Sequence, residues 1–211
     1  MKKILFFIGA LALTASGCGQ SAPTNTSSSS SPKPGGSPAA SAPKAKEKKA
    51  PATNPVPADW IRMYDDAKGY EFMVPQGTEH KSQTVEGADV YLANVPAPYD
   101  IGIIVVAFKD KTLTKDDLLK RAENILKGLG EKDIKIGEPK ELSDDYSLAS
   151  ISSVDEKGKA TKGKVLVGTD VTDNYIMLVG VDADKFDANE KTIDEIWGSF
   201  GMYSGGSSGN S

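Results

Sequence analysis

The chain of 211 residues carries one cysteine, Cys18, and one histidine, His80. A lone thiol closes no disulfide within the chain, and ordinary zinc sites, which draw on Cys and His ligands, are excluded. A Ser-His-Asp arrangement would have to use His80, which sits between Glu79 and Lys81 in what reads as a solvated polar loop. No G-x-S-x-G elbow is present to supply the serine. A glycine-rich phosphate loop is also missing, the 21 glycines being scattered over turns and strand positions. Asp182-Ala-Asp-Lys-Phe-Asp187 opens like a calcium loop. Phe186 then takes the fifth position, the sixth is not glycine, and Ile193 stands where a bidentate glutamate belongs. These acids read as a loop and a helix cap. No cofactor or metal is expected. Pairing of distant carboxylates for acid–base work is not legible in a sequence, and nothing favours it.

What is there begins at the first residue. Lys2 and Lys3 precede an apolar run of about ten residues, Ile4 to Leu13, followed by Ala15-Ser16-Gly17-Cys18. This is the pattern of a secretory signal peptide, and it is too short for the roughly 20 residues that span a bilayer. The ending on Cys18 resembles the lipobox of bacterial lipoproteins, with Ala15 in the position usually held by leucine. The resemblance implies that residues 1–17 are removed and that Cys18 is acylated and becomes the first residue of the mature protein. It places the chain on a bacterial cell membrane, lipid-anchored and facing the periplasm or the exterior. Gly19 in place of aspartate points to the outer membrane where the host has two.

Charge is divided unevenly. Through Pro57 there are seven lysines and one acid; beyond it stand 18 basic and 28 acidic residues. An acidic globular part repels nucleic-acid phosphates, so DNA and RNA are excluded as partners. Residues 18–57 lack aromatics and read as a disordered Ser/Pro/Lys-rich tether behind the lipidated cysteine, with ends on the order of 35 Å apart or more. Lys44, Lys46, Lys48 and Lys49 either solubilise it or touch anionic headgroups; the first reading is favoured because Glu47 interrupts the run. Residues 204–211 read as a disordered tail, which leaves 58–203 as one globular domain, long enough for a full hydrophobic core.

Within that domain Trp60–Tyr64, Tyr70–Val74 and Val90–Val95 read as strands. Ile101–Phe108 is apolar without alternation, so it must be a central strand covered on both faces. Thr114 with Asp117 three residues on forms a capping box, flanked by Leu113 and Leu118 as a staple. Leu118, Leu119, Ala122, Ile125, Leu126 and Leu129 then follow at helical spacing, ended by Gly128 and Gly130. A loop through Ile134–Ile136 leads to strands at Tyr146–Val154, Lys164–Val171 and Tyr175–Val181, with a tight turn at Asp173-Asn174. Asp187, with Glu190 three residues on, caps a second helix whose buried stripe is Ile193, Ile196, Trp197 and Phe200. The sum is an α+β domain: a mostly antiparallel sheet of about six strands with helices on both faces, an α/β/α sandwich.

Two patterns within this order carry a family resemblance. Asp66-Ala-Lys-Gly-Tyr-Glu-Phe-Met-Val-Pro75 and the closing Ile193-Asp-Glu-Ile-Trp-Gly-Ser-Phe200 resemble the opening and the terminal helix of PsbP-like (Mog/PsbP, DcrB-type) domains. Thr78 departs from the pattern where many of them have tryptophan. The resemblance covers about Trp60 to Tyr203. It implies a non-enzymatic accessory or interaction module with an envelope protein as partner; a small-ligand or carboxylate-based hydrolytic domain is the alternative, and a purely structural envelope protein a third. Two surface features suit an interaction. Asn94–Asp100 stiffens Tyr99 between Pro96, Pro98 and the next strand, and Lys157, Lys159 and Lys162 gather on a glycine-containing hairpin. Plain readings stand beside both, as a strand connection and as a charged tip that blocks edge pairing.

Overall fold

Strands with apolar side chains on both faces need cover on both, and the two such runs in this chain lie side by side. In the computed structural model, which describes residues 48–49, 56–85, 88–110, 112–170 and 173–202, Val105 stands opposite Met177 and Gly102 opposite Gly180. All of these residues belong to one compact unit. In chain order the strands are β1 (Lys48–Lys49), β2 (Ile61–Asp65), β3 (Tyr70–Val74), β4 (Glu79–Val85), β5 (Ala88–Val95) and β6 (Ile101–Phe108). Helix α1 (Lys115–Gly128) follows, then β7 (Lys132–Ile136), β8 (Lys140–Glu141), β9 (Tyr146–Val154), β10 (Ala160–Thr169) and β11 (Asn174–Asp182). A short 3-10 turn, Ala183–Lys185, leads into α2 (Phe186–Gly198), and β12 (Gly201–Met202) follows it.

The main sheet runs β4-β5-β6-β11-β10-β9-β7, with β8 paired to β9. A second sheet runs β1-β12-β3-β2. Each pairing in both is antiparallel. The α+β class with helices on both faces is therefore what the chain adopts. The main sheet has more than six strands, and β2 and β3 pair with each other in the second sheet, where β3 takes β12, from the far end of the sequence, as its other neighbour.

Alternation along each strand sorts the core into two layers. Ile104, Val106, Ile176, Leu178, Val165 and Val167 face Leu118, Ala122, Ile125 and Leu126 of α1. Ile103, Val105, Met177, Val179 and Leu166 face Ile193, Ile196, Trp197 and Phe200, together with Phe72, Val74 and Met202 of the second sheet. Leu118 and Ile193 are 0 % exposed, and full burial of such a side chain contributes roughly 1.5–3 kcal/mol. The capping box at Thr114 forms in both directions, with the Asp117 amide donating to Thr114 Oγ1 at 3.2 Å and the Thr114 amide to Asp117 Oδ2 at 3.1 Å.

Four expectations are corrected. His80 lies in strand β4, an edge strand whose side chains are mostly exposed; polar on both faces, it shows no period. Ile134 and Ile136 lie in β7, irregular in register, with Asp133 at φ 49°. The β10–β11 turn is longer than two residues, since Thr169 pairs with Asn174 and the Asp170 amide donates to the Asp173 carbonyl. Asp187 does not cap α2. The chain enters that helix from the 3-10 turn, with Lys185 preceding it and no side chain capping, and Asp187 sits in the first turn, where a carboxylate suits the positive end of the helix dipole. Lys48–Lys49 pairs with Gly201–Met202, although it belongs to the stretch read as tether. Cys18, Lys44, Lys46, the remainder of 1–47, residues 50–55 and the tail beyond residue 202 lie outside the described residues.

Candidate functional site

At one end of the main sheet three connections come together: 96–100 between β5 and β6, 155–159 between β9 and β10, and 183–185 after β11. Their register brings them there, since Val95 pairs with Ile101, Val154 with Ala160, and Thr161 with Asp182. Pro96, Ala97 and Pro98 are exposed, whereas Tyr99 is half-buried and packs against the core on the α2 side. The tip is thus the two prolines, with Tyr99 as its footing. The Tyr99 and Asp100 amides donate back to the Pro96 carbonyl at 3.2 and 3.4 Å. Gly77, at φ 86°, lets the β3–β4 turn approach Pro96, whose Cγ is 3.5 Å from where a Cβ would stand.

The lysine hairpin folds around Asp155, whose Oδ1 accepts the amides of Lys157 and Lys159 at 2.8 Å each. Its lysines divide. Lys157 and Lys162 are exposed, while Lys159 pairs with the buried Asp182. Lys164, on the α2 face, is held by Glu190 and Asp194 at 3.1 and 2.5 Å. Lys185 completes a chain: its ammonium is 2.6 Å from Asp100 and 3.8 Å from Asp182. The hydrogen bond to Asp100, aided by the charges of Asp100, Asp182 and Asp184, raises the Lys185 pKa. The proline loop and the lysine hairpin, separate in sequence, are therefore tied through Lys159, Asp182, Lys185 and Asp100.

Beneath the hairpin lies a buried polar row that periodicity alone does not disclose. Ser153, Thr161 and Asp182 sit opposite one another on three neighbouring strands, and Glu131 from the α1–β7 connection reaches Ser153. Ser153 Oγ donates to Glu131 at 2.5 Å and is 2.5 Å from Thr161 Oγ1. Burial raises the Glu131 pKa, with the nearby Asp155 charge adding to it and the Ser153 and Thr161 hydrogen bonds opposing it. Asp182 Oδ1 is buried and has no hydrogen-bond partner among the described residues. On β4, His80 stacks on Tyr91, ring centroids 5.2 Å apart. Tyr91 itself is pushed up to about 12 by burial, with Asp65 contributing. Among the described residues, no group of three or more His, Cys, Asp or Glu side chains is placed to hold a metal ion.

At the opposite end of β5 and β6 a cleft of about 590 Å³ opens between the β2–β3 turn, α1 and Asp173, the residue before β11. Its charged lining is evenly mixed, with Lys68, Lys109 and Arg121 against Asp89, Asp110 and Asp173.

No family model matches the chain, and no curated protein matches it. Solved structures do. A cyanobacterial PsbP (CyanoP) from Synechocystis sp. PCC 6803 superposes with a TM-score of 0.52 at 16% identity, covering 69% of this chain and 94% of that one. The Ran-binding protein Mog1p of Saccharomyces cerevisiae gives 0.44 at 12% identity, covering 65% and 84%. At such identities the likeness is one of fold, and the cyanobacterial PsbP structure identifies the domain as PsbP-like in fold.

Proposed function

We propose that the chain is a membrane-anchored, non-catalytic binding or assembly module of a bacterial cell envelope. The observation that carries the binding reading is the ion-pair chain from Lys159 through Asp182 and Lys185 to Asp100. It fixes a loop whose exposed tip is two prolines and an alanine, so a partner meets a surface that has little ordering entropy left to lose. Loops held by a rigid scaffold are where contacts of this kind concentrate, and both faces of the main sheet are already covered. Lys157 and Lys162 beside it supply exposed positive charge, which governs the rate and salt dependence of association. The PsbP-like fold is compatible with such a role and does not by itself assign it.

The anchor reading rests on the lipobox-like segment ending at Cys18. One acyl chain holds a protein only marginally at a membrane, and several bind it stably. Cys18→Ser is expected to leave the domain folded but released from membranes or stalled as precursor; a processed variant that still sediments with membranes overturns the anchor. For the binding reading, a photocrosslinking residue placed at Ala97 in living cells is expected to capture one discrete envelope protein, while the same residue at the exposed Lys120 on α1 captures none. Equal patterns from both positions would remove the loop from the interface.

A further inference from the structure

We propose that the cleft at the far end of β5 and β6 from the proline loop is a binding site for a small zwitterionic molecule, one that carries a carboxylate and an ammonium, such as a short peptide. The reading does not depend on the binding loop. The cleft, at about 590 Å³, falls within the roughly 300–1,000 Å³ of small-molecule sites.

Its rims are tied to the body of the domain by two buried side chains. Tyr175 and Asn174, neighbours on β11, are both 2 % exposed, and each sends its polar end to one rim. The Tyr175 hydroxyl donates to the Lys68 carbonyl at 2.7 Å, fixing the β2–β3 turn. The Asn174 amide donates to the Asp110 carbonyl, fixing the segment after β6. Asp110 is further held by Thr112, whose amide and hydroxyl donate to its carboxylate at 3.0 and 2.6 Å. These hydrogen bonds hold Asp110 below the usual carboxylate range, so it is an anion at neutral pH. Asp89 accepts from the Thr84 hydroxyl at 3.3 Å.

The positive side is prepared differently. The Arg121 guanidinium lies over the Phe108 ring, with Cζ 5.0 Å from the centroid. Its charge reaches Asp110 and Asp117 and helps lower their pKa values, but it makes no hydrogen bond or close ion pair among the described residues, so its planar fork keeps its donors for a carboxylate. Lys109 is exposed beside it. Lys68 is paired with Asp65 at 3.5 Å and Asp173 is held by interactions of its own, so a ligand meets Asp89 and Asp110 on one side and Lys109 and Arg121 on the other. Only a molecule of both signs satisfies each side without like-charge opposition.

The test is an NMR titration of the isotope-labelled full chain with glycyl-glycine, with succinate and with putrescine at low salt. Saturable shifts confined to the amides around Lys68, Asp89 and Asp110, with glycyl-glycine at least about tenfold tighter than either single-sign probe, are expected. Arg121→Gln and Asp89→Asn both alter exposed side chains and leave the fold intact; each is expected to weaken the dipeptide about tenfold. Equal weak shifts from all three probes overturn the proposal, as does tighter binding of succinate or putrescine alone. Dipeptide binding unchanged in both variants overturns it as well.

Discussion

The Lys185 ammonium lies 2.6 Å from the Asp100 carboxylate and 3.8 Å from that of Asp182, so one side chain joins a surface loop to the buried end of a strand. The two contacts differ in weight. Lys185 and Asp100 are 40% and 44% exposed, whereas Asp182 is 6% exposed. Lys185→Met is therefore expected to lower stability by less than about 1 kcal/mol, as exposed pairs do, while hydrogen exchange at the Tyr99 and Asp100 amides speeds up. Lys159→Met with Lys185→Met would leave a buried carboxylate with no cation. That is expected to cost about 3–5 kcal/mol, more than the two single losses together. Additive, small losses in urea unfolding would mean that Asp182 is solvated.

The β10–β11 pair contains a position where only glycine fits. A Cβ on Gly163 would stand 2.2 Å from the Val179 carbonyl oxygen and 2.7 Å from the Gly180 Cα, both backbone atoms of a central strand that is hemmed in on both faces. Gly163→Ala is expected to exceed the roughly 3 kcal/mol that overpacking usually costs. Gly158→Ala at the hairpin tip is the contrast. Nothing lies within 4 Å of its Cβ position, and only its φ of 80° is strained. Similar melting temperatures for the two variants would show that β10 and β11 do not approach as described.

Where sequence and structure agree, the deciding interactions are local or repeat along one element. β6 and β11 announce themselves because a strand buried on both faces is apolar at every position, and α1 because Thr114 and Asp117 cap it within one turn. β4 stayed hidden because Glu79 to Thr84 is polar on both faces of an edge strand, so burial imposes no period. The second sheet was not legible either, since β3 finds its partner in Gly201–Met202, far along the chain. The candidate site divides in the same way. Pro96, Pro98 and the lysine hairpin can be picked out from residue types. The Lys185 link between them, and the Glu131–Ser153–Thr161 contacts, depend on pairings that only the folded chain makes.

The terminal helix offers a direct check of the α2-side core. Trp197 is 3% exposed and donates its indole N–H to Asp194 Oδ1 at 2.7 Å. Trp197→Ala is expected to cost about 3–5 kcal/mol, as large-to-small core changes do. Asp194 also grips Lys164 on β10, so the variant should loosen that contact and speed exchange along β10. A loss under about 1 kcal/mol would mean that α2 does not seal this face.

Glu131 gives the protein a pH dependence of recognisable sign. Its folded pKa is raised above the ordinary 4.5, chiefly by burial, with the Asp155 charge adding to it. Between those two values the folded state holds a proton that the unfolded state has released, so stability falls as pH rises through the window. The exposed acids Asp110, Asp117 and Glu141 act in the opposite sense, because hydrogen bonds lower their pKa values and their contribution fades toward low pH. The Glu131→Gln variant separates the two. Glutamine can still accept the Ser153 hydroxyl but carries no charge at any pH. Urea unfolding of both proteins between about pH 4 and pH 8 should show the variant gaining on the native chain as pH rises. The two should differ little at the acid end, where Glu131 is protonated in both states. A difference that stays constant across this range would mean that Glu131 titrates as an exposed carboxylate and that its contact with Ser153 opens in solution.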